Sequence, residues 1–368
     1  MGTYIGYKRP DRLNEMVSFM RMYKDGTETL VRAIPMDVRK LPERVIDKPI
    51  KGGQAHFYFL KDSGGKLAIK AFNPSENPDF LKKRARNVQN ALQKLNDTYE
   101  RDKLDERGKL KITMLFNQLN IPKGYFVDKN GRLAALLIPK APDSCYKTIN
   151  FSSNEGVEVK RMEVKLSSII SENSYINTFG KSNSGLIDVA KWSLLDSFCQ
   201  TIASLHSLQL IHGDLSSSNT LVRWAESTDP KVYVIDAFNG YSYSDGNKEL
   251  GVMISDVYCP ISVRRCEYTP SSDVYCLAWW IMHIAFGMDP GAIHIPRPKL
   301  QDIKNGAPIL FARHNYVVSS LPKARKQLSN EFFNVLESCL CEGPENRPDA
   351  IELACNVHNY WKDFGDER

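Results

Sequence analysis

The stretch Ile211-His212-Gly213-Asp214-Leu215-Ser216-Ser217-Ser218-Asn219 sets a carboxylate, Asp214, five residues ahead of an amide, Asn219. An apolar segment follows, Thr220-Leu221-Val222. A turn with Asp229-Pro230 then leads to Val232-Tyr233-Val234-Ile235, and Asp236 closes the run. Loop, strand, turn and strand bring a second carboxylate back towards the first. Phosphoryl transfer needs such a set. One carboxylate orients an acceptor hydroxyl and takes its proton, while hard oxygen ligands hold the metal that bridges the phosphate oxygens. Asp214 is the candidate base. Asp236 is the candidate principal metal ligand and Asn219 the second, because the apolar hairpin aims both at one space.

These residues need a scaffold, and the flanking sequence supplies one. Residues 46–72 read as strands: Phe57-Tyr58-Phe59-Leu60 is an apolar run, Asp62-Ser63-Gly64-Gly65 a turn cluster, and Leu67 to Phe72 a second strand. Residues 78–105 read as a helix that starts at Pro78-Asp79 and keeps Leu81, Ala85, Val88, Leu92 and Leu95 on one stripe. Tyr125-Phe126-Val127 and Leu133 to Ile138 flank Asn130-Gly131, a tight-turn signal. Pro139 and Pro142 punctuate a connector. Residues 143–184, rich in Ser, Asn and Glu, read as a helix from Tyr146 to Ile149 plus an irregular insertion. Leu186, Val189, Ala190, Leu194, Phe198, Ile202 and Leu205 define a long buried helix. Residues 272–287, 330–341 and 349–361 supply three more. Near the start, Met16, Phe19, Met20 and Tyr23 recur at helical spacing and predict a short amphipathic helix. Strands first and helices later predict an α+β, bilobal fold: a small antiparallel-sheet lobe followed by a larger helical lobe.

The bulk composition narrows the class. A chain of 368 residues, 42% hydrophobic and 25% charged, has the make-up of a globular protein with a sizeable core. The net charge of +6 is concentrated in part at Lys82, Lys83, Arg84 and Arg86 and at Lys323, Arg325 and Lys326. No aromatic residues interleave with these clusters, so they read as solvated helix faces; neither nucleic acid nor membrane is expected as a partner. The eight cysteines form no C-x-x-C pair and no zinc spacing, and several sit in apolar stretches. Buried thiols in a reducing compartment fit better than a disulfide framework. Met1-Gly2 is followed by Gly6, not by the Ser or Thr of a myristoylation signal. The longest apolar run, Leu277 to Phe286, is too short to span a bilayer and contains His283. A cytoplasmic location is expected.

The order of these landmarks resembles the protein-kinase superfamily, in particular bacterial eukaryotic-like Ser/Thr kinases with an atypical catalytic loop. His212-Gly213-Asp214 stands where most eukaryotic kinases have His-Arg-Asp, and Asp236-Ala237-Phe238 where they have Asp-Phe-Gly. The resemblance runs from residue 46 to residue 360. Lys70, in Ala68-Ile69-Lys70, stands at the phosphate-pairing lysine position. The segment Ile50 to Phe57, with Gly52 and Gly53, resembles a glycine-rich phosphate loop. Ser271-Ser272-Asp273-Val274-Tyr275 resembles the helix whose Asp braces the catalytic loop. Pro344-Glu345-Asn346-Arg347-Pro348 resembles the late arginine landmark, and Cys259-Pro260-Ile261 the end of an activation segment over 236–261. The resemblance implies an N-terminal extension (1–45) packed on a kinase unit, an N-lobe (46–138) and a C-lobe (139–368). It implies ATP with Mg²⁺ or Mn²⁺ as cofactors and a protein hydroxyl as acceptor. It also places Ile138 at the back of an adenine pocket, with Pro139, Lys140 and Ala141 meeting the base through backbone groups.

The sequence departs from that pattern in ways that bear on function. Gly213 removes the arginine that reads a phosphorylated activation loop, which makes the chain non-RD and predicts activity without that switch. Ser216 stands where many Ser/Thr kinases carry a lysine near the transferred phosphate. Ile50 and Ala55 replace usual glycines of the phosphate loop. The helix after Lys70 offers Gln89 and Asn90 in place of a Glu, which points to a regulatory protein partner that positions residues 79–105. Ile261 replaces the Glu that would pair with Arg347, which leaves Arg347 to Glu267 or a carbonyl. A small-molecule kinase and a nucleotide-binding pseudokinase module stand as alternatives to a Ser/Thr protein kinase.

Overall fold

The computed structural model describes residues 16–21, 50–51, 55–72, 88, 90–91, 94–95, 115, 117–128, 130, 132–153, 156–170, 188–216, 219–225, 227–236, 241–242, 269–288 and 308–366. The chain divides into two compact units, Met1–Glu106 with Asn120–Lys140, and Arg107–Leu119 with Ala141–Arg368.

The first unit is built on a six-stranded antiparallel sheet of β1 (Met16–Arg21), β2 (Ile50–Lys51), β3 (Ala55–Phe59), β4 (Leu67–Phe72), β5 (Gly124–Asp128) and β6 (Leu133–Pro139), in the order β1-β5-β6-β4-β3-β2. Every residue of β4 is buried, as its central place requires. The β3–β4 turn is pinned by Ser63, whose Oγ donates to the Leu60 carbonyl at 2.8 Å and accepts the Leu67 N–H at 3.0 Å. Gly64 and Gly65 follow at φ of 59° and 76°, a region in which side chains are strained. The β5–β6 turn closes on Asp128, whose Oδ1 accepts the N–H groups of Asn130 (2.8 Å) and Arg132 (3.0 Å). Val88, Asn90, Ala91, Lys94 and Leu95 are helical; Val88 and Leu95 of the predicted stripe are buried, as is Ala91, which the stripe did not include.

One element of this unit differs from expectation. Met16–Arg21 is a strand paired with β5, not an amphipathic helix. An isolated helix this short is marginal in water, whereas the edge of β5 offers backbone partners along the segment, interrupted only at Val17, and Phe19 suits a strand.

The second unit is mainly helical: α1 (Asp188–Ser207), α2 (Pro270–Phe286), α3 (Pro308–Ser319), α4 (Leu321–Arg325), α5 (Asn330–Cys339) and α6 (Ala350–Asp366). Leu194, Phe198 and Ile202 of α1, Trp279 and Trp280 of α2, and Leu353 and Val357 of α6 are fully buried in its core. The α1, α2, α5 and α6 spans match expectation, α4 carries Lys323 and Arg325 of the cluster read as a solvated helix face, and α3 was not anticipated. Thr269 and Ser272 form a reciprocal cap at the start of α2, and Gly287 ends it at φ 68°. Among the described residues no helix is long and apolar enough to cross a membrane.

Three short ladders complete this unit. β7 (Tyr146–Ser153) and β8 (Gly156–Glu163) form an antiparallel hairpin, where the sequence reading has a helix at 146–149 and an irregular insertion. The strand wins because Thr148 and Ile149 are β-branched and pair with Arg161 and Lys160 across the ladder. Arg161 also binds Asp143 at 2.6 Å and lies over the Tyr146 ring at 4.8 Å. β10 (Thr220–Arg223) pairs with β11 (Lys231–Val234), and β9 (Leu210–Ile211) with β12 (Tyr241–Ser242). Mixed helices and antiparallel sheets make this an α+β protein compatible with a kinase-like fold.

Candidate active site

In the second unit, α1 ends at Ser207 and β9 leads into the loop from His212 to Asn219. The loop is held from α2. Asp273, in the first turn of α2, has no solvent exposure. Its Oδ2 accepts the His212 N–H at 2.8 Å and its Oδ1 accepts the Gly213 N–H at 3.1 Å. The brace expected of Asp273 is therefore present. His206 Nε2 lies 3.0 Å from Oδ2 as a third partner, one that sequence reasoning missed. Its only signal was a histidine in the last turn of a helix, six residues before His212. Gly213 has a φ of 77°. Glycine adopts that conformation without strain, and no side chain projects from position 213.

His212 is fully buried and ties the loop to the β11 end. The Asp214 N–H donates to its Nδ1 at 3.1 Å, so Nδ1 is an acceptor and Nε2–H donates to the Ile235 carbonyl at 3.2 Å. The ring is neutral in this arrangement, and burial lowers its pKa despite the opposing influence of Asp273. A histidine whose folded pKa is depressed binds its proton more readily when unfolded. Its contribution to stability is thus complete above the ordinary pKa of 6.5 and is lost as pH falls below it. His314, also lowered chiefly by burial, acts in the same direction. NMR of the His212 ring is expected to show the neutral Nε2–H form, with its titration midpoint below pH 6.5. A midpoint at or above that pH would overturn the assignment.

Two of the three candidate groups of this unit, Asp214 and Asn219, are directly bonded, and the third, Asp236, follows a residue whose backbone is bonded to Asn219. Asn219, 7% exposed, donates from Nδ2 to Asp214 Oδ2 at 2.8 Å and to the Asp214 carbonyl at 3.0 Å. Its own carbonyl accepts the Ile235 N–H at 2.8 Å, next to Asp236. Asp214 and Asp236 are both partly exposed. Asp236 has a φ of 59°, unusual for a residue with a side chain. Such strain persists only where surrounding structure holds it, here the Asn219 and His212 bonds to Ile235. The Leu215 carbonyl accepts Trp280 Nε1–H at 2.9 Å, and the Ser216 carbonyl accepts from Asn219 N and Thr220 Oγ1. Ser216 itself is buried.

Arg347 finds carbonyls. It donates to those of Cys341, Glu342 and Ser271 at 2.9–3.1 Å, one of the two outcomes expected with Ile261 in place of a Glu.

In the first unit, Lys70 lies at the centre of the sheet, 6% exposed, with Nζ 5.8 Å from the Phe57 ring centre and 5.7 Å from that of Phe72. Ile138 pairs with Ala68 on the same strand as Lys70 and is buried. The Pro139 carbonyl accepts Asn120 Nδ2–H at 3.1 Å, and the Lys140 N–H donates to the Lys66 carbonyl at 2.8 Å. Two of the three connector positions expected to meet a base thus already have backbone groups engaged. Ala141 belongs to the second unit and packs with Cys145, Leu221 and Tyr233. Gly52 and Gly53 lie outside the described residues, as does the 236–261 segment apart from Asp236 and Tyr241–Ser242.

Known proteins give the resemblance to protein kinases partial support. No protein-family model matches the chain. The serine/threonine-protein kinase STE20 of Saccharomyces cerevisiae is 29% identical over 152 residues, covering 40% of this chain and 14% of its own length. Mitogen-activated protein kinase kinase kinase A of Dictyostelium discoideum is 25% identical over 182 residues, covering 49% of this chain and 17% of its own length. The matches span less than a fifth of either relative. This weak, partial similarity supports a place in the protein-kinase superfamily.

Proposed function

We propose that this chain is a non-RD Ser/Thr protein kinase that transfers the γ-phosphoryl group of ATP to a protein hydroxyl, with Mg²⁺ or Mn²⁺ as cofactor. The observation that carries this reading is the bond from Asn219 Nδ2 to Asp214 Oδ2, made within a loop braced by Asp273. It fixes the carboxylate that would orient the acceptor hydroxyl and take its proton. The γ-phosphoryl group passes to the hydroxyl oxygen and ADP leaves.

The donor set fits a hard divalent cation. With its NH₂ group committed to Asp214, the side-chain oxygen of Asn219 is the atom left for a metal, and the Asp236 carboxylate supplies the second hard ligand. A cation held by these two residues would supply positive charge to offset that of the phosphates. Lys70 would hold the phosphates as a point charge, with Ile138 behind the adenine and Ala141 meeting its edge. Gly52 and Gly53 would approach the phosphates. The buried thiols of Cys145, Cys199, Cys276 and Cys339 support a reducing, cytoplasmic setting. Gly213 sets the chain beside bacterial eukaryotic-like kinases with an atypical loop, and a protein partner that positions residues 79–105 is the expected regulator.

Ser216 favours a second reading. It is 1% exposed and stands where a lysine would reach the transferred phosphate, so a small-molecule acceptor also fits. Incubation with γ-labelled ATP, a generic basic protein and a metabolite extract separates the two. Label in the protein is expected; label confined to metabolites would favour the second reading, and no transfer with either metal would overturn both. Lys70→Met keeps length but not charge, and is expected to lower turnover by about 10²–10³-fold, the scale for losing one oriented electrostatic contact. Unchanged turnover in a folded Lys70→Met protein would remove Lys70 from the site.

A further inference from the structure

A cavity of about 540 Å³ opens within the second unit, between the C-terminal end of α1 and the first turns of α2 and α6. That is the size of a small-molecule pocket. Arg347, 7% exposed, lies in its wall. The guanidinium donates from Nε and Nη2 to the Cys341 carbonyl, from Nη2 to that of Glu342 and from Nη1 to that of Ser271. The Tyr275 ring lies 4.9 Å from its central carbon. A guanidinium has five N–H groups; its oxygen acceptors among the described residues are these three carbonyls, and the Cys341 thiol is a further side-chain partner. Among those residues no carboxylate pairs with it. A buried charge is ordinarily paired, and burial here depresses the pKa of Arg347. Neutral groups hold the cation in place, and no counter-ion for it lies among the described residues.

The rest of the lining agrees with an anionic guest of limited charge. The N-terminal ends of two long helices, α2 and α6, reach the cavity and carry positive potential. Against them stand the negative end of α1 and the Asp349 carboxylate, which is tied to the Glu352 N–H at 2.8 Å. A doubly charged phosphate suits this mixture less well than a single carboxylate. Pro270, Val274 and the half-exposed Ile351 add an apolar wall.

We propose that this cavity binds a small organic acid, its one carboxylate on Arg347 and its apolar stem against Val274 and Ile351. The site does not depend on the phosphotransferase reading and can fail or succeed without it. The probe is 3-phenylpropionate, titrated into the full chain while the backbone amide signals of Ser271 and Ile351 are followed by NMR. Saturable shifts are expected, with the neutral 3-phenylpropionamide and inorganic phosphate at least about tenfold weaker, a difference of about 1.4 kcal/mol. Ile351→Glu tests the wall without touching Arg347. An acid in the first turn of a helix is well tolerated, so this variant should keep the wild-type melting temperature and lose binding by about tenfold or more through like-charge repulsion. The proposal is overturned if the wild type shows no saturation by about 10 mM, far weaker than a specific site of this size. It is equally overturned if the amide or phosphate binds as well as the acid, or if Ile351→Glu binds as tightly as wild type.

Discussion

Replacing Asp214 by asparagine is expected to lower phosphoryl transfer by about 10²–10⁴-fold, the range for a positioned general base, with little change in stability. The substitution is close to isosteric. The amide oxygen can still accept Asn219 Nδ2–H, as Oδ2 does at 2.8 Å. The backbone bonds are untouched: Asp214 N–H to His212 Nδ1, and the Asp214 carbonyl to Asn219. What the variant loses is the ability to take a proton. Single-turnover rates, a nucleotide-dependent thermal shift and a denaturant midpoint should therefore separate cleanly, with only the first falling. A variant that keeps its full rate would remove Asp214 as base. One that loses its rate and its fold together would show that the carboxylate charge is structural.

The course of the loop was legible because its contacts are local. Asp214 and Asn219 are close in sequence, and the β10–β11 hairpin that returns Asp236 is short and apolar, with every ladder residue but Arg223 and Lys231 buried. The β3–β4 and β5–β6 hairpins were legible for the same reason: Ser63, Gly64 and Gly65, and Asp128 with Asn130, carry the turn geometry in their own side chains or backbones. Legibility failed where the partner is distant. The apolar spacing of Met16–Arg21 fits helix and strand alike, and only the edge of β5, more than a hundred residues on, decides between them. The β7–β8 hairpin pairs mostly polar and charged residues, among them Thr148 with Arg161 and Ser152 with Val157, so no continuous hydrophobic stripe announces it. In α3 the buried positions include Arg313 and His314, and the Tyr275 hydroxyl lies 3.1 Å from His314 Nδ1. Burying polar residues through a bond to another helix erases the pattern on which a helix is read.

Asp273→Ala is expected to give the largest loss of stability of any single substitution near the loop. The carboxylate lies where no water reaches and serves three partners: the N–H groups of His212 and Gly213, and His206 Nε2. Alanine leaves the two backbone donors with no acceptor at a buried place, and strands His206 beside them. Each unsatisfied group costs about 1–3 kcal/mol, so the two backbone donors alone account for roughly 2–6 kcal/mol against a total stability of about 5–15 kcal/mol. Asparagine keeps one oxygen but turns an NH₂ group towards a donor, so Asp273→Asn should fall between wild type and alanine. Turnover should fall in the folded fraction as well, since Gly213 adjoins Asp214 and its conformation at φ 77° is held through this bond. Denaturation followed by tryptophan fluorescence reads the effect directly. Trp279 and Trp280 are buried in α2, and Trp280 Nε1–H donates to the Leu215 carbonyl in the loop itself. A midpoint for Asp273→Ala within about 1 kcal/mol of wild type, less than the cost of one orphaned donor, would show that the loop holds its shape without the brace.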